Sequence, residues 1–199
     1  MIDEGYNLMQ AMQDAMDEKK FQLCLTLLTK YQDEKIVQQK NSKQQNLFHV
    51  LCANSQGCKI EHLKRIYETL KKRGVDCLEA DGIGRTALHY AVESNSKELV
   101  HMLLEQGADP KTQDMHGNSA INLYLEGEKI KHKVLFNSLL GKYDEIFELL
   151  ANHGADMNTV YTEKKFNPEY SKDPYKCVLI INLIRQLAAS GFEEQSILR

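Results

Sequence analysis

Residues 81–114, DGIGRTALHYAVESNSKELVHMLLEQGADPKTQD, decide the fold of this chain. A glycine-containing turn at 81–85 leads into an apolar segment at 86–92, and a polar turn at 94–96 leads into a second at 97–105. Apolar residues recur at helical spacing in both segments, which predicts two short helices joined by a tight turn. Two such helices cannot bury their apolar faces on each other alone, so this unit needs copies stacked beside it.

The residues that begin and end the two helices of this unit can be explained by local physical chemistry. Gly84 suits a turn with positive φ, which a side chain would resist, and Thr86 can cap the first helix with its hydroxyl. Gly107 follows the last periodic leucine, where a glycine is expected to end a helix, and Pro110 cannot continue one. The unit therefore has a defined start and a defined end.

This unit resembles the ankyrin repeat, whose pattern runs D-x-x-G-x-T-P-L-H-x-A-A and then G-H-x-E-V-V-x-L-L-L-x-x-G-A-D. The matching residues are Asp81, Gly84, Thr86, Leu88, His89, Ala91, Glu98, Val100, Leu103, Leu104, Gly107, Ala108 and Asp109. The departures are Ala87 for the proline, Val92 for an alanine and Asn95-Ser96 for Gly-His. The resemblance implies that Thr86 and His89 tie neighbouring turns together by hydrogen bonds.

A diverged copy precedes this unit. Residues 46–52, NLFHVLC, overlay T-P-L-H-x-A-A, and Gly74-Val75-Asp76 overlay G-A-D. Gly74 and Gly107 are 33 residues apart, which is the ankyrin period. Gln44 stands at the turn-glycine place, and the copy carries 7 extra residues, which lengthen the middle turn or the second helix.

Another copy follows, from Asp114 to the Gly154-Ala155-Asp156 loop, with 14 added residues. Apolar residues keep a helical spacing within 126–140, so an extra or lengthened helix is expected there. An alternative alignment makes 134–140 the first helix of this copy and 117–131 the insertion. The sequence leaves both alignments open.

Both ends of the chain look like modified repeats. Residues 1–31 are interpreted as two helices of a degenerate first repeat acting as an end cap, with Met9, Met12 and Met16 in its core. Residues 31–45 form a polar connection. After Asp173-Pro174, residues 178–187 predict an apolar helix, and 191–199 resemble the start of a further repeat, either a final cap or the first piece of something longer.

We therefore predict an all-α ankyrin-repeat solenoid of stacked helix-turn-helix units, with about four to five repeats including degenerate ends. The whole chain, 1–199, is expected to be a single domain. Its approximate repeats are 3–40, 41–80, 81–113, 114–160 and an incomplete 161–199.

Composition narrows the function class. A net charge of -3 over 199 residues argues against a dominant surface for nucleic acid or anionic membranes. The 5 cysteines leave one unpaired, and the N-terminus has no signal-peptide core, so an intracellular, cytoplasmic or nuclear location is expected. No apolar run reaches membrane-spanning length.

Several groups of residues could suggest a metal, dinucleotide or nucleic-acid site, but each has a simpler structural interpretation. His49, Cys52, Cys58 and His62 could suggest zinc, yet structural zinc ligands usually come as close Cys-x-x-Cys pairs. Gly82-Ile83-Gly84 is similar to the start of a dinucleotide fingerprint, but Ala87 stands at its third glycine. Basic runs at 71–73 and 129–133 are interpreted as solvated surface. We expect no catalytic residues, metal or cofactor, and nucleic-acid binding is unlikely on this composition.

Binding is the function that the resemblance implies. Ankyrin stacks use their patterned positions for packing, and partners usually dock on the turn tips and the exposed side of the first helices, the concave face. The candidates there are Lys43, Asn54, Ile83, Arg85, Glu93, Ser94, Gln113, Met115, His116 and Asn118, together with Ser42, Gln45 and Gly82. Ile83 and Met115 would be apolar anchors and Arg85 the polar one, unless adjacent turns cover the two apolar side chains.

The favoured function is a non-catalytic protein–protein interaction module or scaffold subunit. The alternative is a regulatory or targeting segment of a larger enzyme of the kinase or ADP-ribosyltransferase type, because ankyrin stacks are often fused to such domains. The expected partner is another protein. The sequence does not define its identity or the oligomeric state.

Overall fold

The computed structural model describes residues 8–126 and 145–156. The helices in those ranges are α1 Leu8–Asp17, α2 Phe21–Lys30, α3 Glu34–Val37, α4 Leu47–Ala53, α5 Ile60–Lys72, α6 Ala87–Glu93, α7 Lys97–Glu105, α8 Ala120–Glu126 and α9 Glu145–Asn152. Isolated antiparallel bridges, Ala80 to Thr86 and Gln113 to Ser119, close two of the turns. The described ranges contain no strand beyond these bridges, and the predicted all-α repeat fold is confirmed.

The helices stack in two layers. The first helices of successive units, α1, α4, α6 and α8, pack side by side in one layer. The second helices α2, α5, α7 and α9 each pack against the first helix of their own unit or its neighbour. Tyr67 on α5 donates its hydroxyl to the carbonyl of Met102 on α7 at 3.2 Å, which joins consecutive second helices. Each unit therefore completes its core with its neighbours.

The second helices α5, α7 and α9 end in the same way. A fully buried leucine lies four residues before a glycine with positive φ, and the residue after that glycine donates its N–H to the leucine carbonyl. The pairs are Leu70 with Gly74 (φ 71°), Leu103 with Gly107 (φ 89°) and Leu150 with Gly154 (φ 84°). This equivalence is what the spacing of the three glycines predicts.

The insertion before Gly74 lengthens two elements rather than one. The middle turn of this unit occupies residues 54–59, against 94–96 in the next unit. Helix α5 has 13 residues, whereas α7 has 9. The turn and the helix therefore share the extra residues.

The N-terminal unit is packed as an ordinary repeat. Met9, Met12 and Met16 are 4%, 0% and 1% exposed, so their interpretation as core residues is confirmed. Lys19 has a positive φ of 58° in the turn between α1 and α2, a conformation that glycine more often adopts. The unit packs against α4 and α5.

The connection at 31–45 is more structured than its polar sequence predicts. It contains the one-turn helix α3, whose Val37 is fully buried. Arg73 donates to the carbonyls of Leu28 and Gln32 at 2.9 Å each, and Gln38 donates to the carbonyl of Arg73 at 3.1 Å. The bond to Leu28 satisfies a carbonyl in the last turn of α2, a helix that no Gly-Ala-Asp loop follows. Sequence periodicity missed α3 because a single turn is too short to show a period.

In the unit after Asp114, α8 packs against α6, and α9 packs against α7 and α8. Helix α8 therefore packs at the first-helix place, as in the first of the two alignments, while residues 134–140 of the alternative lie outside the described residues. The expected insertion helix within 126–140, the apolar helix at 178–187 and the partial repeat at 161–199 lie outside the described residues. The outer repeat boundaries stay predictions. Through 8–126 and 145–156, no helix has both the length and the apolar character needed to cross a bilayer.

Candidate functional site

Three consecutive turn tips line one edge of the first-helix layer. We call them tip 2 (residues 41–45), tip 3 (81–85) and tip 4 (114–118), after the predicted repeats. Each begins with a residue whose side-chain Oδ1 accepts from the N–H groups two and four positions later, at 2.9 to 3.0 Å. These residues are Asn41, Asp81 and Asp114. The fourth position has positive φ in every tip, at Gln44 (60°), Gly84 (79°) and Gly117 (76°).

A backbone ladder joins the tips. The N–H of Gly82 donates to the carbonyl of Lys43 at 2.9 Å, and the N–H of Met115 donates to the carbonyl of Ile83 at 2.9 Å. Both bonds run from the second position of one tip to the third position of the preceding tip. A Cβ on Gly82 would lie 2.9 Å from the Lys43 carbonyl oxygen, so a side chain there would push the two tips apart.

Two buried histidines add a second set of bonds between units. His49 Nε2 lies 3.1 Å from the carbonyl oxygen of Arg85, and His89 Nε2 lies 3.2 Å from that of Asn118. The bond from His89 confirms what the family resemblance implies. Both ring nitrogens of His49 form hydrogen bonds within the stack, so His49 has a structural role there.

The Nδ1 atoms of these rings fix the tautomer. His49 Nδ1 accepts from the N–H of Asn46 at 3.1 Å, and His89 Nδ1 accepts from that of Thr86 at 3.0 Å. The proton therefore lies on Nε2, where it is donated to the next unit. Burial is the main cause that lowers the pKa of both rings below 6.5, and it keeps them neutral. Thr86 contributes within its own turn, by holding the ring of His89.

Neutral side chains link tip 2 to tip 3, and we call this link a neutral closure. Tyr90 donates its hydroxyl to Asp81 Oδ2 at 2.6 Å and accepts from the side-chain amide of Gln45 at 2.7 Å, while Gln45 Oε1 accepts from Asn41 at 2.8 Å. We call this series the Tyr90 chain. Burial and the bond to Asp81 raise the pKa of Tyr90 to about 12. Burial alone would raise the pKa of Asp81, but its bonds to Tyr90 and to backbone N–H groups outweigh burial and lower it.

The guanidinium group of Arg85 links tip 3 to tip 4, and we call this link an ionic closure. Arg85 donates through Nε to Asp114 Oδ2 at 3.1 Å and through Nη1 to the two carboxylate oxygens of Glu93 at 3.0 and 3.1 Å. Its guanidinium carbon lies 5.9 Å from the ring centroid of Tyr90. Burial opposes the charge of Arg85, but Glu93 and Asp114 outweigh it and raise the Arg85 pKa. With its side chain 18% exposed, Arg85 acts as a clamp between the tips, and its role as the polar anchor for a partner stays a prediction.

The apolar candidates are exposed. Ile83 is 42% exposed and Met115 is 74% exposed, so the alternative in which neighbouring turns cover them is wrong. The other exposed candidates are Ser42, Lys43, Gly82, Glu93, Gln113 and His116, with Glu93 held by Arg85. Gln45 and Asn118 are half-buried within the tips.

Three candidates lie at the other end of the first helices, and one of them is Glu93, the last residue of α6. The other two, Asn54 and Ser94, are in the middle turns and are half-buried. Asn54 donates to the carbonyl of Val50 at 3.1 Å, and Ser94 donates to that of Ala91 at 3.1 Å. The structure therefore distributes the predicted residues over two ends of one layer, with the apolar pair at the tips.

A shallow depression of about 530 Å³ lies between tips 2 and 3. It is lined by residues 42–45, by 81–83 and by Tyr90. Sequence analysis missed Tyr90, although a tyrosine in an otherwise apolar helix needs a partner for its hydroxyl, which is a usable signal. Among residues 8–126 and 145–156, no His, Cys, Asp and Glu side chains cluster as a metal site would require.

Comparison with known proteins agrees with this geometry. The family model described as "Ankyrin repeats (3 copies)" matches residues 8–114, more than half of the chain. An ankyrin repeat protein of fowlpox virus is 42% identical over 60 residues, 30% of this chain and 10% of that protein. One of Rickettsia felis is 29% identical over 94 residues, 45% of this chain and 25% of that protein.

An L-asparaginase of Dirofilaria immitis is 54% identical over 37 residues, 19% of this chain and 6% of that protein. The chain therefore spans at most 25% of the length of these three relatives. The family match covers the N-terminal cap and the units that carry tips 2 and 3. On this match and on the repeated geometry of its helices and turns, the chain belongs to the ankyrin repeat family.

Proposed function

We propose that this chain is a non-catalytic protein–protein interaction module or scaffold subunit, which binds another protein across tips 2, 3 and 4. Ankyrin repeats are generally protein–protein interaction modules. The observation that carries the proposal is the exposure of two large apolar side chains, Ile83 at 42% and Met115 at 74%, on adjacent tips. Apolar side chains of this size contribute strongly when a partner buries them.

The tips are already held in place by hydrogen bonds, so binding a partner should cost little conformational entropy. Each tip is fixed by its first side chain and by the backbone ladder, and tips 3 and 4 are also each bound by a histidine from the preceding unit. A surface that is already ordered loses little freedom when a partner docks. The same bonds fix the distance between Ile83 and Met115, which favours a partner with matching spacing.

The charged part of the surface differs from the sequence expectation. Arg85 is engaged by Asp114 and Glu93, so a partner could use it only in competition with those carboxylates. Lys43 is exposed on tip 2 and is the better candidate for a charged contact. His116 is exposed at the same position of tip 4.

Site-specific photo-crosslinking tests the proposal. A benzophenone amino acid at position 83 or 115 is expected to form an adduct with a protein partner in the native cell, which mass spectrometry would identify. Position 23 is the matched control, because Leu23 on α2 is 44% exposed against 42% for Ile83. Adducts from position 23 with none from the tips would contradict the proposal.

Variants then measure the contribution of each anchor. Ile83→Asp and Met115→Asp are each expected to weaken binding of the identified partner more than tenfold, since an apolar contact is lost and a charge is desolvated. Leu23→Asp is expected to leave the affinity within twofold. Equal effects of all three substitutions would remove the tips from the site.

A second candidate function is a regulatory or targeting segment of a larger enzyme. The 37-residue match to an L-asparaginase, in which the matched part is 6% of that protein, favours it, because it places a similar stretch within a much longer chain. The complete reading frame separates the two: a frame that continues into a catalytic domain would favour the enzyme segment. An intracellular location, cytoplasmic or nuclear, is part of the proposal and is supported by the cysteine composition.

A further inference from the structure

The depression between tips 2 and 3 lies where the second position of the turn is a glycine. The second position of tip 3 is Gly82, which presents no side chain, whereas the same position of tip 4 is Met115, which is 74% exposed. The ladder bond is 2.9 Å at both junctions, but a Cβ on Gly82 would lie 2.9 Å from the Lys43 carbonyl oxygen, so this junction does not accommodate a side chain at the second position. Gly82 therefore lines the depression of about 530 Å³ without a side chain that could fill it.

The polar groups on the floor of this depression are already bonded to each other. Asp81 is 8% exposed, and its carboxylate accepts from two backbone N–H groups and from Tyr90. The Tyr90 hydroxyl accepts from the side-chain amide nitrogen of Gln45. The side-chain oxygen of Gln45, Oε1, accepts in turn from the side-chain amide of Asn41. An apolar group entering the depression would therefore displace water without breaking a hydrogen bond of the floor.

The rim differs on its two sides. Ile83, 42% exposed, forms an apolar side. Lys43 lies on the other side, and among the described residues no carboxylate pairs with its ammonium group, in contrast to Lys40, which pairs with Glu79. A negatively charged group next to an apolar one would complement this rim.

We propose that this depression receives one large apolar side chain from an extended segment of a partner protein, while an Asp or Glu within two residues of it pairs with Lys43. The inference rests on the proposed function and deepens it, since it states which chemistry the partner presents to tips 2 and 3. The apolar side chain buries against Tyr90 and Ile83. The acidic residue fixes the direction of the segment along the edge.

Selection from a random dodecapeptide phage library on the full chain tests this inference. Enriched peptides are expected to share an aromatic or large aliphatic residue with Asp or Glu within two positions. A synthetic peptide of the enriched family, followed by fluorescence anisotropy, is expected to lose at least tenfold in affinity for Lys43→Glu. The peptide with its acid replaced by lysine is expected to recover affinity for that variant.

A second variant fills the depression. Ser42→Trp, at the exposed rim, is expected to weaken the same peptide at least tenfold. The control is Lys64→Glu, which makes the same charge change at an exposed position of α5 and is expected to leave affinity within twofold. Thermal unfolding of each variant establishes that it is folded; should Ser42→Trp fail to fold, Lys43→Glu and the charge-swapped peptide decide alone.

The failures of the two proposals are distinguishable. Enriched peptides that lack an acidic residue, or that bind Lys43→Glu normally, would overturn this inference. If such peptides still lose affinity for Met115→Asp, binding at the tips stands and only the depression is excluded. If no tip variant changes the affinity of any selected peptide, the proposed function fails as well.

Discussion

The junction between tips 2 and 3 and the junction between tips 3 and 4 share a backbone but differ in their side chains. Each has one ladder bond of 2.9 Å and one bond from a buried histidine to a carbonyl of the next tip. The Oδ2 atom of the leading aspartate is bound by Tyr90 at tip 3 and by Arg85 at tip 4. The repeat therefore requires the backbone bonds, while the side chains that close each junction are free to vary.

This difference has a functional consequence. The neutral closure by Tyr90 lies beneath an open depression, next to Lys43, which pairs with no carboxylate in the part of the chain that the structure describes. The ionic closure by Arg85 lies beside Met115, which projects from the edge. The two junctions thus offer a partner a recess and a protrusion on one rigid edge. Four sets of measurements test this difference between the two junctions.

The largest effect is expected in the core that both junctions share. Leu103→Ala and Leu70→Ala should each lower the free energy of unfolding by about 2 to 5 kcal/mol, because each removes a fully buried leucine at the same repeat position. Urea denaturation measures both. A loss under about 1 kcal/mol at either site would mean that the two second helices are not packed equivalently.

The next effect is a pH dependence shared by both junctions. His49 and His89 have folded-state pKa values below the 6.5 of the unfolded chain, so the unfolded state binds more protons as the pH falls. Their stabilisation is complete above pH 6.5 and declines below it, at up to about 1.4 kcal/mol per pH unit for each histidine.

Thermal or urea unfolding between pH 7.5 and 5 measures this decline. Asp81 and Asp114 do not contribute there, because their pKa values lie below 3.8 and their stabilisation is lost only at more acidic pH. The His49→Gln variant should show a shallower slope than the native chain. An unchanged slope would mean that His49 is not held neutral by the fold.

A smaller difference in the free energy of unfolding should distinguish loss of the Arg85 closure from loss of the Tyr90 closure. Arg85→Met removes the cation that serves Asp114 and Glu93, at a cost of about 1 to 3 kcal/mol, and Tyr90→Phe removes one hydroxyl at about 1 kcal/mol. Raising the salt concentration should reduce the effect of Arg85→Met and leave that of Tyr90→Phe nearly unchanged. Equal salt dependence would contradict the distinction between an ionic and a neutral closure.

The smallest stability effect is expected at the exposed anchors. Ile83→Ser and Met115→Ser should each change the free energy of unfolding by less than about 0.5 kcal/mol, because these side chains are 42% and 74% exposed. Circular dichroism during thermal unfolding measures this. A larger loss at Ile83 would show that its side chain supports the tip and is not reserved for a partner.

The fold was largely predictable from the sequence because its signals are local. Helical periodicity, the glycines at 74, 107 and 154 and the match at 81–113 place the units and their order. The burial of Met9, Met12 and Met16 followed from the same periodicity. Helix α3 was missed because one turn carries no period, and the insertion before Gly74 could not be divided between turn and helix.

The sequence predicted that helical pairs stack at a 33-residue period and that Ile83 and Met115 lie at the turn tips. The tertiary structure alone decided that Arg85 is a clamp, that Tyr90 closes the neighbouring tips and that a depression lies above it. The physical reason is distance along the chain. Arg85 and Asp114 are 29 residues apart and Gln45 and Tyr90 are 45 apart, so these partners meet only when the units stack.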